Sequence, residues 1–402
     1  LDRDDAECAP TRLKQIREKI MAIIWRHSAL AHRHAAIGGE LEDWNGMGTA
    51  WFYDHTPERA KADYEAIRTK AGLMDVSGLK KVHLVGPDAA YVIDRVTTRN
   101  VEKIAVGRST YASILNSDGK FIDDCIIYHL AVNTWMVVHG TGTGMEQLTS
   151  VAAAKNVAVI MDDDLHDMSL QGPLAVDFLA KHIDGIRDLA YFGILHTKLF
   201  GKSVMISRTG YTGERGYEIF VGAKDAVHVW DNILSDGESI GIRPCQFSTL
   251  DMLRIESYLL FYPGDNSETF PFDDEPCGDT IWELGLEFTV SPGKEGFIGA
   301  ENHYAAQGKE RFKIYGVQLS DSMAQMEMHA RVMAGGKDVG VITYGLSSEL
   351  NGYSVAIARL DPSAAKAGTK LTVVQPDGTE LAATAEEMPF YDKEKVIRAA
   401  KG

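Results

Sequence analysis

The chain has no apolar run of 18 residues or more, so no segment reads as a membrane-spanning helix. Positive charge is scarce: 41 lysines and arginines stand against 57 acidic residues, for a net charge of −16. A basic face that could follow phosphate backbones or anionic lipid is therefore not expected, and neither nucleic acid nor membrane is an expected partner. Cysteine is also sparse. Cys8, Cys125, Cys245 and Cys277 are scattered, with no C-x-x-C pair, so neither a disulfide framework nor a zinc site is indicated. Free thiols and the lack of a signal-peptide pattern lead to the expectation of a cytoplasmic protein. His27, His32 and His34 have no carboxylate or cysteine at a spacing that completes a metal site, and no metal is expected. Gly140-Thr141-Gly142-Thr143-Gly144 lacks the lysine of a phosphate loop and reads as a flexible turn entering a helix. Low-complexity tracts and short-period repeats are absent.

What is present is an ordinary globular composition, 45% hydrophobic over 402 residues, enough for two or three domains. Residues 11–36 read as an amphipathic helix with Leu13, Ile16, Ile20, Ile23 and Ile24 on one stripe. That stripe is expected to be a packing face, on this chain or on a second copy. Residues 42–53 are rich in glycine and aromatics and read as a buried loop, or as the wall of a ligand pocket for flat rings or onium cations. Helix is expected over 58–71, 88–96, 144–154, 173–182, 224–239 and 246–257. Strands are expected over 82–85, 109–116, 121–130, 134–139, 157–160 and 165–170. This is an α+β pattern. Regular turn signals from about 309 to 389 predict a small antiparallel barrel or sandwich. The expected division is 1–40 as a helical extension, 41–300 as an α+β body of two interleaved domains, and 301–402 as a β-rich domain.

Two stretches carry chemistry. In Ser207–Ile219, three glycines interrupt a strand that also holds Arg208, Tyr211 and Glu218. Alternation places Glu218 opposite Tyr217 and Ile219. A carboxylate held there can accept two N–H donors from a flat heterocycle, though a surface hairpin with ordinary charges fits the pattern equally well. In Phe121–Ile127, Asp123 and Asp124 lie inside an apolar strand. Burial of a carboxylate raises its pKa and suits it to proton transfer. Capping of the Ser117-Asp118-Gly119 bend is the structural alternative.

Ser207–Ile219 resembles the SRTGYTGEDGYEI signature of the aminomethyltransferase family, whose type member is the glycine cleavage T-protein. Gly72–Ser77, Tyr111–Leu130, Leu170–Pro173, Leu253–Glu256 and Phe297–Gly299 resemble further motifs of that family, in the same order from about Asp43 to the C-terminus. The resemblance implies a three-domain ring around a central tetrahydrofolate channel. It implies Asp123 as the main catalytic carboxylate with Asp124 in support. It implies Glu218, Tyr111, Tyr211, Arg208 and Val138 as residues around the folate. Trp44, Trp51, Tyr53 and Tyr262 are the expected contacts to a small donor. Arg254 and Glu256, two apart on a helix, are expected to form structural ion pairs with other elements.

The chain departs from the T-protein pattern at Leu250, where the family has arginine, at Gly78-Leu79 and at His139-Gly140. In the segment Arg254–Tyr262 it is more similar to folate-dependent demethylases of the same fold, such as those acting on dimethylsulfoniopropionate. The expected activity is transfer of a one-carbon group from a small methylated N-, S- or O-donor to tetrahydrofolate. A glycine-cleavage aminomethyltransferase using a lipoyl carrier protein, and a folate-binding protein without turnover, are the alternatives.

Overall fold

The computed structural model describes residues 24–271 and 277–400. It opens with helix α1 (Ala31–Ala36), strands β1 (Glu40–Trp44) and β2 (Met47–Phe52), helix α2 (Pro57–Thr69) and strand β3 (Gly72–Asp75). The predicted helix over 11–36 is reduced, among the described residues, to α1. Residues 24–30 are not helical because tertiary bonds take their backbone: Trp25 and Arg26 donate N–H to the Gly46 carbonyl, and Arg26 bridges Met47. Most of the apolar stripe, Leu13 to Ile23, lies outside the described residues. The glycine-rich segment expected as a loop is a β1–β2 hairpin. Its turn is Asn45-Gly46, both at positive φ (56° and 83°), the pair that closes two-residue hairpins without splaying the strands. Thr56 caps α2 by accepting from the Arg59 N–H, and Pro57 at the first position needs no donor there.

A five-stranded antiparallel sheet follows, with β4 (Lys80–Val85), β5 (Arg108–Leu115), β6 (Phe121–Ala131), β7 (Thr134–His139) and β8 (Ala158–Met161) in the order β5-β6-β7-β4-β8. Helices α3 (Ala89–Val96) and α4 (Gly144–Ala152) cover one face, where Val92, Ile93 and Leu148 pack on Ile114, Ile127 and Val137. The second sheet contains β9 (Leu165–Gln171), β10 (Ile194–Leu199), β11 (Lys202–Ser207), β12 (Gly216–Gly222) and the short β13 (Arg243–Pro244), in the order β10-β11-β12-β9-β3-β13. Helices α5 (Ala175–Leu179) and α6 (Ala223–Gly237) back it, with Phe178, Val229 and Trp230 against Leu170 and Ile219. The uncovered faces of the two sheets meet: Tyr128, Met136 and Val138 pack with Ile194, Met205 and Phe220.

Helix α7 (Ser248–Ser257) and the short helices α8 (Ile281–Leu284) and α9 (Ala300–Ala305) lead to a closed barrel. Its strands are β14 (Lys313–Leu319), β15 (Arg331–Ala334), β16 (Lys337–Ser348), β17 (Tyr353–Leu360), β18 (Lys370–Val374) and β19 (Glu380–Glu386). The barrel is fixed to the body by buried polar bonds around α7. Arg68 of α2 pairs with Glu214 at 2.9 Å and with Glu256 at 2.6 Å, while Tyr353 of the barrel donates to Glu256 at 2.6 Å. Arg254 pairs with Asp265 at 2.5 Å. The two α7 residues therefore serve different ion pairs, as their spacing requires. Cys125 and Cys245 are buried free thiols. Cys277 is disulfide-bonded, which corrects the expectation of free thiols at that position. Among the described residues no helix is long and apolar enough to cross a membrane.

Candidate functional site

A cavity of about 770 Å³ lies where both sheets, the α7 end and the barrel converge. Its walls are largely aromatic and aliphatic, and carboxylates enter it from two sides.

Glu218 enters from the second sheet. It sits on β12 between Ser207 of β11 and Ser169 of β9, so pairing on both sides fixes its backbone. Its carboxylate is buried, and Oε2 accepts from Thr209 Oγ1 and, at 3.2 Å, from Tyr128 OH. Oε1 has no protein hydrogen bond among the described residues. Burial pushes the pKa of Glu218 up, against the two hydroxyl bonds that pull it down. Asp167, diagonal to it on β9, is fully buried with both oxygens lacking a hydrogen bond among the described residues, and burial followed by the nearby Glu218 raises its pKa strongly.

The first sheet contributes Asp123 and Asp124, and strand alternation sends them to opposite faces. Asp124 faces the cavity with Ile126 and Tyr128. Its Oδ2 accepts a 2.6 Å bond from Tyr111 OH on β5. Burial, then the charge of Asp123, raises the pKa of Asp124 to about 7. Asp123 also borders the cavity but is fully buried, and His139 Nδ1 of β7 donates to its Oδ2 at 2.7 Å. Its Oδ1 accepts from the Asp124 N–H at 3.0 Å. The Gly140–Gly144 turn closes over this pair. A Cβ on Gly142 would lie 2.6 Å from Asp123 Cγ and 2.0 Å from the Ile122 carbonyl, so a side chain there would force the turn off the carboxylate.

Tyr111, Tyr211, Val138, Tyr262 and Trp44 all line the cavity. Tyr211 is anchored by donating to the Leu260 carbonyl at 2.5 Å. Three expected residues lie elsewhere. Arg208 spends its guanidinium on the carbonyls of Leu189, Arg398 and Ala400, so it holds the C-terminal segment rather than facing the cavity. Trp51 packs behind the wall, 4.5 Å from Phe247. Tyr53 is buried with its hydroxyl bonded to His34 Nδ1 at 2.8 Å.

Also lining the cavity, and not among the residues expected from the sequence, are His139, Tyr128, Thr209, Phe247 and the cations Arg99, Lys395 and Arg398. Tyr128 was within reach, since it lies four residues from Asp124 on one strand and so shares its face. The three cations come from distant segments and carry no local signal. Leu250, which replaces the family arginine, is buried in a wall with Trp44 and Phe247. Among the described residues no group of three or more histidine, cysteine or acidic side chains is placed to hold a metal.

Comparison with known proteins agrees with this architecture. Residues 30–294 match the GCVT N-terminal domain and 313–392 the glycine cleavage T-protein C-terminal barrel domain. The chain is 57% identical over 387 residues to the heme-dependent oxidative N-demethylase gamma subunit of Ectopseudomonas mendocina (strain ymp), covering 95% of this chain and 100% of that protein. It is 31% identical to the aminomethyltransferase of Bacillus pumilus (strain SAFR-032), covering 92% of this chain and 100% of that protein. Its fold matches the crystal structure of glycine cleavage system aminomethyltransferase T from Bartonella henselae with a TM-score of 0.80 at 22% identity, over 92% of this chain and 98% of that one. Two matched domains over one continuous two-sheet body and barrel place this chain in the glycine cleavage T-protein (aminomethyltransferase) family of enzymes.

Proposed function

We propose that the protein transfers a one-carbon unit from a small N-methyl donor to tetrahydrofolate, and that it does so as the folate-binding subunit of an oxidative N-demethylase. The observation that carries this reading is one aromatic-walled cavity with Glu218 at one side and the Tyr111–Asp124 pair at another. The residues fit a reduced pterin. Glu218 keeps Oε1 without a protein bond, and a carboxylate so held matches an adjacent ring N–H and amino group. Tetrahydrofolate, when bound, would supply the nucleophilic nitrogens that take up the one-carbon unit.

The chain's own residues supply the rest. Glu218 would fix the orientation of the ring. Asp124, with a pKa near neutrality, takes in this reading the role expected of Asp123: it can accept the proton released when a nitrogen adds to a one-carbon unit already oxidised to the formaldehyde level, and return it to that carbon's oxygen, which would leave as water. Tyr111 holds that carboxylate at one position. Trp44, Phe247, Leu250, Tyr211 and Tyr262 exclude water, so that the two reactants meet aligned in a dry space. The 57% identity to a gamma subunit named for oxidative N-demethylation supports an N-methyl source, whose oxidation would fall to a partner subunit.

Aminomethyl transfer from a lipoyl carrier protein is the second reading, favoured by relatives named aminomethyltransferase. Titration with tetrahydrofolate, followed by tryptophan fluorescence, tests the shared step. Saturable binding that weakens at least tenfold in Glu218→Gln is expected, and absence of binding to the wild type would overturn both readings. A supply of formaldehyde as the one-carbon source then separates them, since turnover without carrier protein supports the demethylase reading.

A further inference from the structure

His139 stands where the T-protein motif has asparagine, and the mechanism above leaves it unused. It is 1% exposed, its Nδ1 donates to Asp123 at 2.7 Å, and its Nε2 is buried without a partner among the described residues. Asp123 in turn accepts from the backbone N–H of Asp124. The three residues thus form a hydrogen-bonded line along the cavity wall, from His139 through Asp123 to Asp124.

We propose that His139 is a positioning residue: by its bond to Asp123 it fixes the carboxylate that stands beside Asp124, and through it tunes how Asp124 handles a proton. The geometry supplies the reason. Asp123 has two fixed hydrogen bonds, one from His139 and one from the Asp124 N–H. A fully buried carboxylate deprived of one of two such donors takes up a proton instead. Its negative charge then vanishes one residue from Asp124, and Asp124 gives up its own proton more readily.

The other titratable groups around the pair are few. Tyr111 on β5 donates to Asp124. Tyr211 and Tyr262 face the acidic pair from across the cavity. Cys125 is next on β6, and burial pushes its thiol well up. Lys80 on β4 reaches the Gly142 carbonyl at 3.3 Å, above the turn that covers Asp123. Arg99 donates to the Tyr111 carbonyl. None of these replaces the bond from His139 to Asp123.

This inference rests on Asp124 being the proton-handling group of the proposed reaction, but its test does not need turnover. Carbon-13 carboxyl NMR of aspartate-labelled, folate-free protein reads the Asp124 titration directly, assigned by its loss in Asp124→Asn. In wild type the midpoint is expected near 7. In His139→Leu it should fall by roughly one unit, a tenfold loss of proton affinity. His139→Asn, which keeps an amide donor, should restore it. Asp123→Asn, nearly isosteric, should reproduce the His139→Leu shift, and it decides the matter if His139→Leu does not fold. An Asp124 midpoint that stays put in Asp123→Asn overturns the inference. The acid limb of one-carbon transfer from formaldehyde to tetrahydrofolate should move with the NMR midpoint. A shifted midpoint in a protein that transfers nothing would sink the functional reading and leave this one standing.

Discussion

Tyr111 and Asp124 stand diagonally across the β5–β6 ladder, and the phenol donates a 2.6 Å hydrogen bond to the cavity-facing carboxylate. The bond favours the charged form of Asp124, so it opposes the burial and the Asp123 charge that raise its pKa. In Tyr111→Phe the Asp124 pKa should therefore rise further from its value of about 7. The acid limb of the pH–rate profile would shift to higher pH, with activity at pH 7 down about threefold to tenfold and recovered in alkali. This displacement is opposite in sign to that expected for His139→Leu. An unmoved acid limb would mean that Asp124 does not govern the rate.

A second carboxylate is tuned the other way. Burial works to raise the pKa of Asp75, but hydrogen bonds from His34, Ser77 and Ser28 outweigh it and hold the carboxyl well below its usual range. A depressed folded-state pKa adds stability above the unfolded value of about 4 and loses it as pH falls below that. His34→Ala should thus lower unfolding stability at pH 7 by about 3 kcal/mol, in the range for breaking a buried pair. The gap to wild type should narrow progressively below about pH 4. Urea unfolding at pH 7 and pH 3 checks this, and a gap independent of pH would assign the loss to packing alone.

Trp44 and Trp51 both contact Phe247, at 4.5 Å between ring centres, but only Trp44 reaches the cavity. Trp44→Ala should raise the donor KM at least fivefold. Trp51→Ala should cost about 3 kcal/mol of stability through lost packing and leave the donor KM unchanged. Equal KM values for both variants and wild type would remove Trp44 from donor binding.

Much of this architecture was legible in the sequence because its strands alternate and its turns carry glycine. Helix α6, strands β5 to β7 and the β-rich C-terminal part fall where periodicity puts them. Alternation also implies that Asp123 and Asp124 point apart. It does not say which face α3 and α4 cover, and that choice decides which carboxylate is bonded to Tyr111 and which to His139, both at the cavity wall. The β1–β2 hairpin had a local signal in Asn45-Gly46 that the surrounding aromatics obscured. Residues 24–30 had none: their helical period is real, but the Gly46 carbonyl takes their N–H groups. Arg208 shows the same limit. Its neighbours in sequence belong to the site, while its partners, Leu189, Arg398 and Ala400, are far along the chain.

The cavity is walled by both sheets, by α7 and by the barrel-side residues Ile314, Tyr315 and Met388, so no one layer encloses it. The space is consequently a seam. Whatever fills it touches every layer at once and adds its binding free energy to their mutual packing, in proportion to the logarithm of its concentration over its dissociation constant. Occupancy and cohesion are then one variable: the filled protein is the state in which body and barrel have most reason to melt together, and the empty one the state in which they have least.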